Sequence, residues 1–181
     1  IMKQKVPEMI RGARNGGVAE VIETTTNGSP QSSAMGEKLI DAELNSINIS
    51  IDGLDAEQFM KFAKAKVDMP SIVQNIKDFY SVSGDCDVVI KTTSEIIGKE
   101  SHDRFYDIFG DHCDRIFVEN TSPCWPDFDV EERMNIKITT GLYGNEIEDI
   151  SVCPSLLYPI SLTSDLSILP CSALPSLTSN P

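Results

Sequence analysis

Along its length this chain alternates β-branched stretches with segments whose apolar residues recur at helical spacing, and polar turns separate them. The stretches 18–26, 47–51, 86–92 and 116–119 read as strands. Helical spacing is carried by Val6, Met9, Ile10 and Ala13 over 6–15, where Pro7 falls in the first turn and Gly16-Gly17 form the stop. Met35, Leu39, Ile40 and Leu44 carry it over 31–44. Asp55 caps a third helix holding Phe59, Phe62 and Ala63. A fourth helix spans 70–82, with Ile72, Val73, Ile76, Phe79 and Tyr80 facing the core, and a fifth spans 100–112 with Phe105, Ile108 and Phe109. Strands separated by whole helices do not pair as tight hairpins. The alternation therefore implies an α/β fold with parallel strands joined by right-handed crossovers.

Two strand ends stand out. Thr24-Thr25-Thr26-Asn27-Gly28-Ser29 and Asn48-Ile49-Ser50-Ile51-Asp52-Gly53 each run from a strand into a polar turn that contains glycine. In the second strand Ile alternates with Asn48 and Ser50, so one face is apolar and the other polar. In a barrel of β/α units all such turns open on one face, where ligands sit. That arrangement points Asn27, Ser50 and Asp52 at one shared pocket. The plainer readings remain open: Asn27-Gly28 as a turn that tolerates positive φ, and Ser50 and Asp52 as caps of the helix that follows.

Residues 21–29 followed by 47–53 resemble the third and fourth barrel strands of radical S-adenosylmethionine (radical SAM) enzymes, with a "TNG" turn and then a "SIDG" turn. Val73-Gln74-Asn75-Ile76-Lys77, Val89-Ile90-Lys91 and Cys113-Asp114-Arg115-Ile116-Phe117-Val118-Glu119 continue the resemblance. Cys153-Pro154 through Cys171 is similar to the opening of the cysteine-rich SPASM extension. The resemblance implies a partial TIM-like (β/α)6 barrel over residues 1–130. A linker and the start of a SPASM-like β-hairpin follow over 131–171. The last stretch, 172–181, is rich in Ser, Pro and Leu without periodicity and is expected to be poorly ordered.

It also implies reductive cleavage of S-adenosylmethionine to a 5′-deoxyadenosyl radical that abstracts hydrogen from a small-molecule, sugar or peptide substrate. A reductant such as flavodoxin or ferredoxin supplies the electron. Carried onto this sequence, Ser50 holds the methionyl or ribose part of the cofactor, Asn27 shapes the adjacent turn and Asp52 caps the next helix. Relatives place a carboxylate-binding arginine in that helix; here Lys61, Lys64 and Lys66 occupy the stretch, and Lys66 is the candidate. Lysine offers a point charge where arginine offers a bidentate fork. Cys153 and Cys171, at the two ends of the hairpin, are the candidate ligands of an auxiliary iron–sulfur cluster.

One departure matters most. Three thiolates from a C-x3-C-x2-C loop hold the catalytic 4Fe–4S cluster in the family, and this sequence has no such motif. The cluster loop is expected upstream of Ile1, which makes this chain an internal and C-terminal piece, inactive alone.

The remaining composition narrows the choice. With 28 Asp+Glu against 15 Lys+Arg, the net charge is −13, unsuited to neutralising a phosphate backbone, so no nucleic-acid partner is expected. No apolar run approaches the roughly 20 residues that span a bilayer, and the N-terminus lacks a signal-peptide core. Five irregularly spaced cysteines make a poor disulfide framework and suit a reducing, cytoplasmic setting. Cys86 and Cys113 read as structural, and His102 and His112 as surface or capping residues. Pro123, Trp125, Pro126 and the acidic stretch through Glu132 read as a loop over the barrel mouth.

Two other functions compete. Asp52 and Glu119 at strand ends, with Trp125 nearby, fit a barrel glycoside hydrolase, which works with two carboxylates. A truncated, non-catalytic scaffold that binds a partner fits the missing cluster loop.

Overall fold

A computed structural model of the chain describes residues 5–28, 33–123, 128–148, 151–153, 157, 160–163, 167–169 and 171. The chain divides into two compact units, Ile1–Glu119 and Asn120–Pro181. The expected division lay at residue 130.

The first unit runs α1 (Val6–Asn15), β1 (Glu23–Thr26), α2 (Ser33–Ile40), β2 (Ser46–Ser50), α3 (Ala56–Phe62), α4 (Met69–Val82), β3 (Asp87–Thr93), α5 (Ser94–Ile97), α6 (His102–Phe109) and β4 (Arg115–Glu119). Short 3₁₀ turns, Lys99–Ser101 and Gly110–His112, flank α6. The four strands lie in the order β1-β2-β3-β4, and every pair is parallel. The α/β reading is thus seen directly. Among the described residues the sheet has four strands and is not closed into a barrel.

The order explains the layering. When each strand lies beside the one before it, successive crossovers of one hand put every helix on the same face. Ile47, Ile49 and Ile51 from β2 and its end, with Val88 and Ile90 from β3, turn to that face and are essentially inaccessible. They share one core with Leu39 of α2, Ile72, Ile76 and Phe79 of α4, and Phe105 and Phe109 of α6. Helix α2 approaches α4 closely enough that a Cβ on Gly36 would lie 2.8 Å from the Phe79 ring.

Several boundaries differ from expectation for local reasons. Strand β1 starts at Glu23 rather than residue 18, because residues 16–22 are spent on leaving α1. The backbone N–H of Val18 bonds to the Ala13 carbonyl, Arg14 donates to the Glu20 carbonyl, and Asn45 Oδ1 accepts from the Ile22 N–H. Helix α2 stops at Ile40 in a turn where Glu43 takes a positive φ of 64°. The four-residue helix α5 was not foreseen. Asp55 caps α3 as expected, its carboxylate accepting from the Gln58 N–H at 2.9 Å.

In the second unit, α7 (Val130–Met134) occupies a stretch read as loop. Asp129 caps it through the Glu132 N–H, an Asp-x-x-Glu signature present in the sequence. A two-stranded antiparallel hairpin pairs β5 (Ser161–Leu162) with β6 (Ile168–Leu169) inside the segment expected to form one. Its expected turn at Ser164-Asp165, the residues Cys124, Trp125 and Pro126, and the 172–181 tail lie outside the described residues.

Candidate functional site

Side chains alternate across a strand, so the residues that do not meet the helices form the opposite face. The parallel register sorts them into rows. The lowest holds Glu23, Ser46 and Asp87; above it come Thr25, Asn48, Val89 and Arg115; next come Ser50, Lys91 and Phe117; Thr93 and Glu119 close the series at the carboxyl ends. Asp52 follows Ser50 by two residues, while Ile51 between them is buried in the helix-side core, which turns Asp52 to the same face as Ser50. The face is polar over most of its area, as the alternation of Ile with Asn48 and Ser50 had signalled.

Charge on this face is paired. At the lower end Arg115 binds the Asp87 carboxylate, which raises the arginine further above its already high range. Near the carboxyl ends Lys91 Nζ lies 3.2 Å from Glu119 Oε2 and 3.3 Å from Oε1. The Glu119 side chain is only 9% exposed and that of Lys91 30%. A carboxylate so enclosed calls for a partner of opposite charge, and Lys91 supplies it. Asp52 has its carboxyl pushed up by burial.

Backbone geometry fixes the two turns. Gly28 takes φ +72°, a region open to glycine, and its N–H bonds to the Thr26 hydroxyl at 3.3 Å. A Cβ at Gly53 would lie 2.6 Å from Gln58 Cβ and 2.9 Å from the Phe59 nitrogen, so the chain turns directly onto the first residues of α3. Gln58 Oε1 accepts from the Leu54 N–H at 2.7 Å and completes the turn. Ser50, Asp52 and Asn27 therefore lie at adjacent strand ends. Lys66 is exposed in the connection between α3 and α4. Lys91 is the residue that the sequence reading missed as a site residue, although a charge between Val88-Val89-Ile90 and Thr92-Thr93 marks it.

Among the described residues no group of three or more Cys, His, Asp or Glu side chains is placed to hold an ion. Cys153 is exposed and Cys171, two residues beyond β6, is half-buried. Burial first, then neighbouring aspartates, pushes the Cys86 and Cys113 thiols up to about 11, so both rest protonated. His102 Nε2 lies 3.0 Å from Ser94 Oγ, tying the start of α6 to the end of β3. A groove of about 790 Å³ between α4 and α6 is lined by Leu54 and Asp55 from the turn after β2 and by Val67, Val73, Asp107 and Ile108 among others. Neither the known protein families nor the curated proteins include a match to this sequence.

Proposed function

We propose that this chain belongs to a radical SAM enzyme with a SPASM-like extension, and that its four strands are an arc of a (β/α)6 barrel. The observation that carries the reading is the sequential parallel order β1-β2-β3-β4 with helices against one face and a polar face opposite, ending in the Asn27 and Ser50–Asp52 turns. A doubly wound sheet reverses its strand order at a switch point, whereas a barrel adds each strand beside the last.

In this reading Ser50 offers a hydroxyl to the S-adenosylmethionine, Asn27 borders it, and Lys66, in the connection that leads into α4, is the candidate partner of its carboxylate. The cofactor, when bound, supplies the radical that abstracts hydrogen; the barrel orients it and excludes water. The thiols in this sequence do not fit the catalytic cluster, since none follows C-x3-C-x2-C, and Cys153 and Cys171 alone fall short of a four-iron cluster. The free thiols of Cys86, Cys113, Cys153 and Cys171 agree with work in a reducing cytoplasm alongside a flavodoxin- or ferredoxin-type reductant.

Calorimetric titration with S-adenosylmethionine tests the reading. Binding is expected, weakened about fivefold by Ser50→Ala, the effect of one net hydrogen bond of about 1 kcal/mol. No binding, or binding indifferent to Ser50→Ala, overturns it. The chain reconstituted with iron and sulfide is expected to release no 5′-deoxyadenosine, and the coding sequence upstream of Ile1 to carry C-x3-C-x2-C.

A second reading, a glycoside hydrolase, is favoured by one observation. Asp52 and Glu119 lie on strands two apart, roughly 10 Å between axes, with Glu119 paired to Lys91 while burial raises Asp52. One carboxyl raised by burial and a second held by a lysine is the kind of unequal acid pair such enzymes use. Loss of glycoside cleavage in Glu119→Gln supports it; absence of any cleavage by the parent chain removes it.

A further inference from the structure

We infer that the ligand taken by the upper part of the polar sheet face is a neutral, hydroxyl-rich ring of the sugar or cyclitol class. The inference rests on the placement of a ligand site on that face, which both readings above share, and adds the substrate chemistry that neither fixes.

The argument starts from what each side chain offers. Ser50, Lys91 and Phe117 form one row, and Asp52, Thr93 and Glu119 the next. Three strands and two rows make a patch about 10 Å wide and 7 Å tall, enough for one six-membered ring with its substituents. Lys91 donates, Asp52 accepts when ionised, and the Ser50 and Thr93 hydroxyls do both. Donors and acceptors thus alternate over a short distance. A vicinal pair of hydroxyls, each donating and accepting, complements that alternation, whereas a carboxylate or phosphate only accepts and an ammonium only donates.

Charge selects in the same direction. Lys91 is opposed by Glu119 at 3.2 Å, so the ammonium is neutralised from behind and offers little net attraction to an anion. Asp52 is the remaining charge, and its burial favours the uncharged carboxyl. With Lys91 and Glu119 offsetting each other, Asp52 is the one charge left on these two rows, and the patch stays dense in hydrogen-bonding groups. Phe117, half-buried beside Lys91 on β4, adds an apolar border of the kind that meets the C–H side of a sugar ring.

Saturation-transfer NMR on the full chain tests this with three probes offered separately: myo-inositol, methyl β-glucoside and triglycine, with S-adenosylmethionine in a fourth tube. Transfer to the cyclitol or the glycoside, and none to triglycine, is expected. Ser50→Ala and Asp52→Asn should abolish that transfer, with an unchanged amide spectrum to show that the fold survives. Asp107→Asn, in the groove between α4 and α6, should leave it intact. Transfer to S-adenosylmethionine alone overturns the substrate class and leaves the enzyme reading standing. Transfer to triglycine in place of the polyols assigns a peptide and also overturns it. Silence from all four probes ends both.

Discussion

Lys91 on β3 and Glu119 on β4 meet across neighbouring strands, the ammonium within 3.3 Å of both carboxylate oxygens, and the acid is nearly enclosed. Lys91→Met would strand that acid. Because the lysine is partly exposed, the loss is expected at about 2 kcal/mol, below the cost of breaking a fully buried pair. Urea denaturation at neutral pH measures it. Adding Glu119→Gln should recover part of the loss, since the buried anion is then gone. A double variant as unstable as the sum of two singles would show the pair to be uncoupled.

Asp52 sets a pH dependence whose sign can be worked out. Burial raises its folded pKa above the unfolded value, so between the two the folded chain holds more proton than the unfolded chain. Stability then falls as pH rises through that window and stays lowered above it. Asp52→Asn removes the effect. The variant should gain in Tm relative to the parent between about pH 4 and pH 7, with the difference smallest at the acid end. A gap that shrinks on going to neutral pH would contradict the burial of this carboxyl.

Gly36 poses two opposing magnitudes. In an open helix Gly→Ala gains about 1 kcal/mol. Here the new methyl would sit 2.8 Å from a ring carbon of Phe79, itself fixed in the core. Overpacking costs roughly 1–3 kcal/mol, so Gly36→Ala is expected to destabilise on balance. Repeating the substitution in a Phe79→Leu background separates the two effects. With the ring gone, Gly36→Ala should raise the Tm above that of Phe79→Leu alone, because only the helical gain is left.

The sheet was legible because periodicity carries it. Ile47, Ile49 and Ile51 had only one arrangement that buries all three, and the alternating helices left parallel order as the remaining solution. The Asp55 cap was legible for the same local reason. What escaped were features set by partners distant in sequence. Arg14 and Asn45 shorten β1 by capturing backbone groups at Glu20 and Ile22 that a longer strand would have paired. Lys91 gains its meaning from Glu119, and Ser94 meets His102 only because the chain between them folds back on itself. The closed barrel and the cofactor roles of Asn27, Ser50, Asp52 and Lys66 came from family likeness alone, which periodicity and local turn chemistry do not supply.

Thiol reactivity gives a last test, because it separates buried cysteines from exposed ones without any assumption about function. Cys86 and Cys113 sit at the amino ends of β3 and β4, and burial, aided by nearby aspartates, holds both near 11. Only the thiolate attacks an alkylating reagent. At pH 7.5 a thiol of that pKa is ionised to about one part in several thousand, and at Cys86 burial also blocks approach. Cys153 is exposed and open to the reagent. Brief treatment with iodoacetamide followed by peptide mass spectrometry should therefore mark Cys153 first and leave Cys86 and Cys113 unmodified until denaturant is added. Early labelling of Cys86 would mean that the β3 end of the sheet opens readily, and the packing described for the core would then be wrong at that edge.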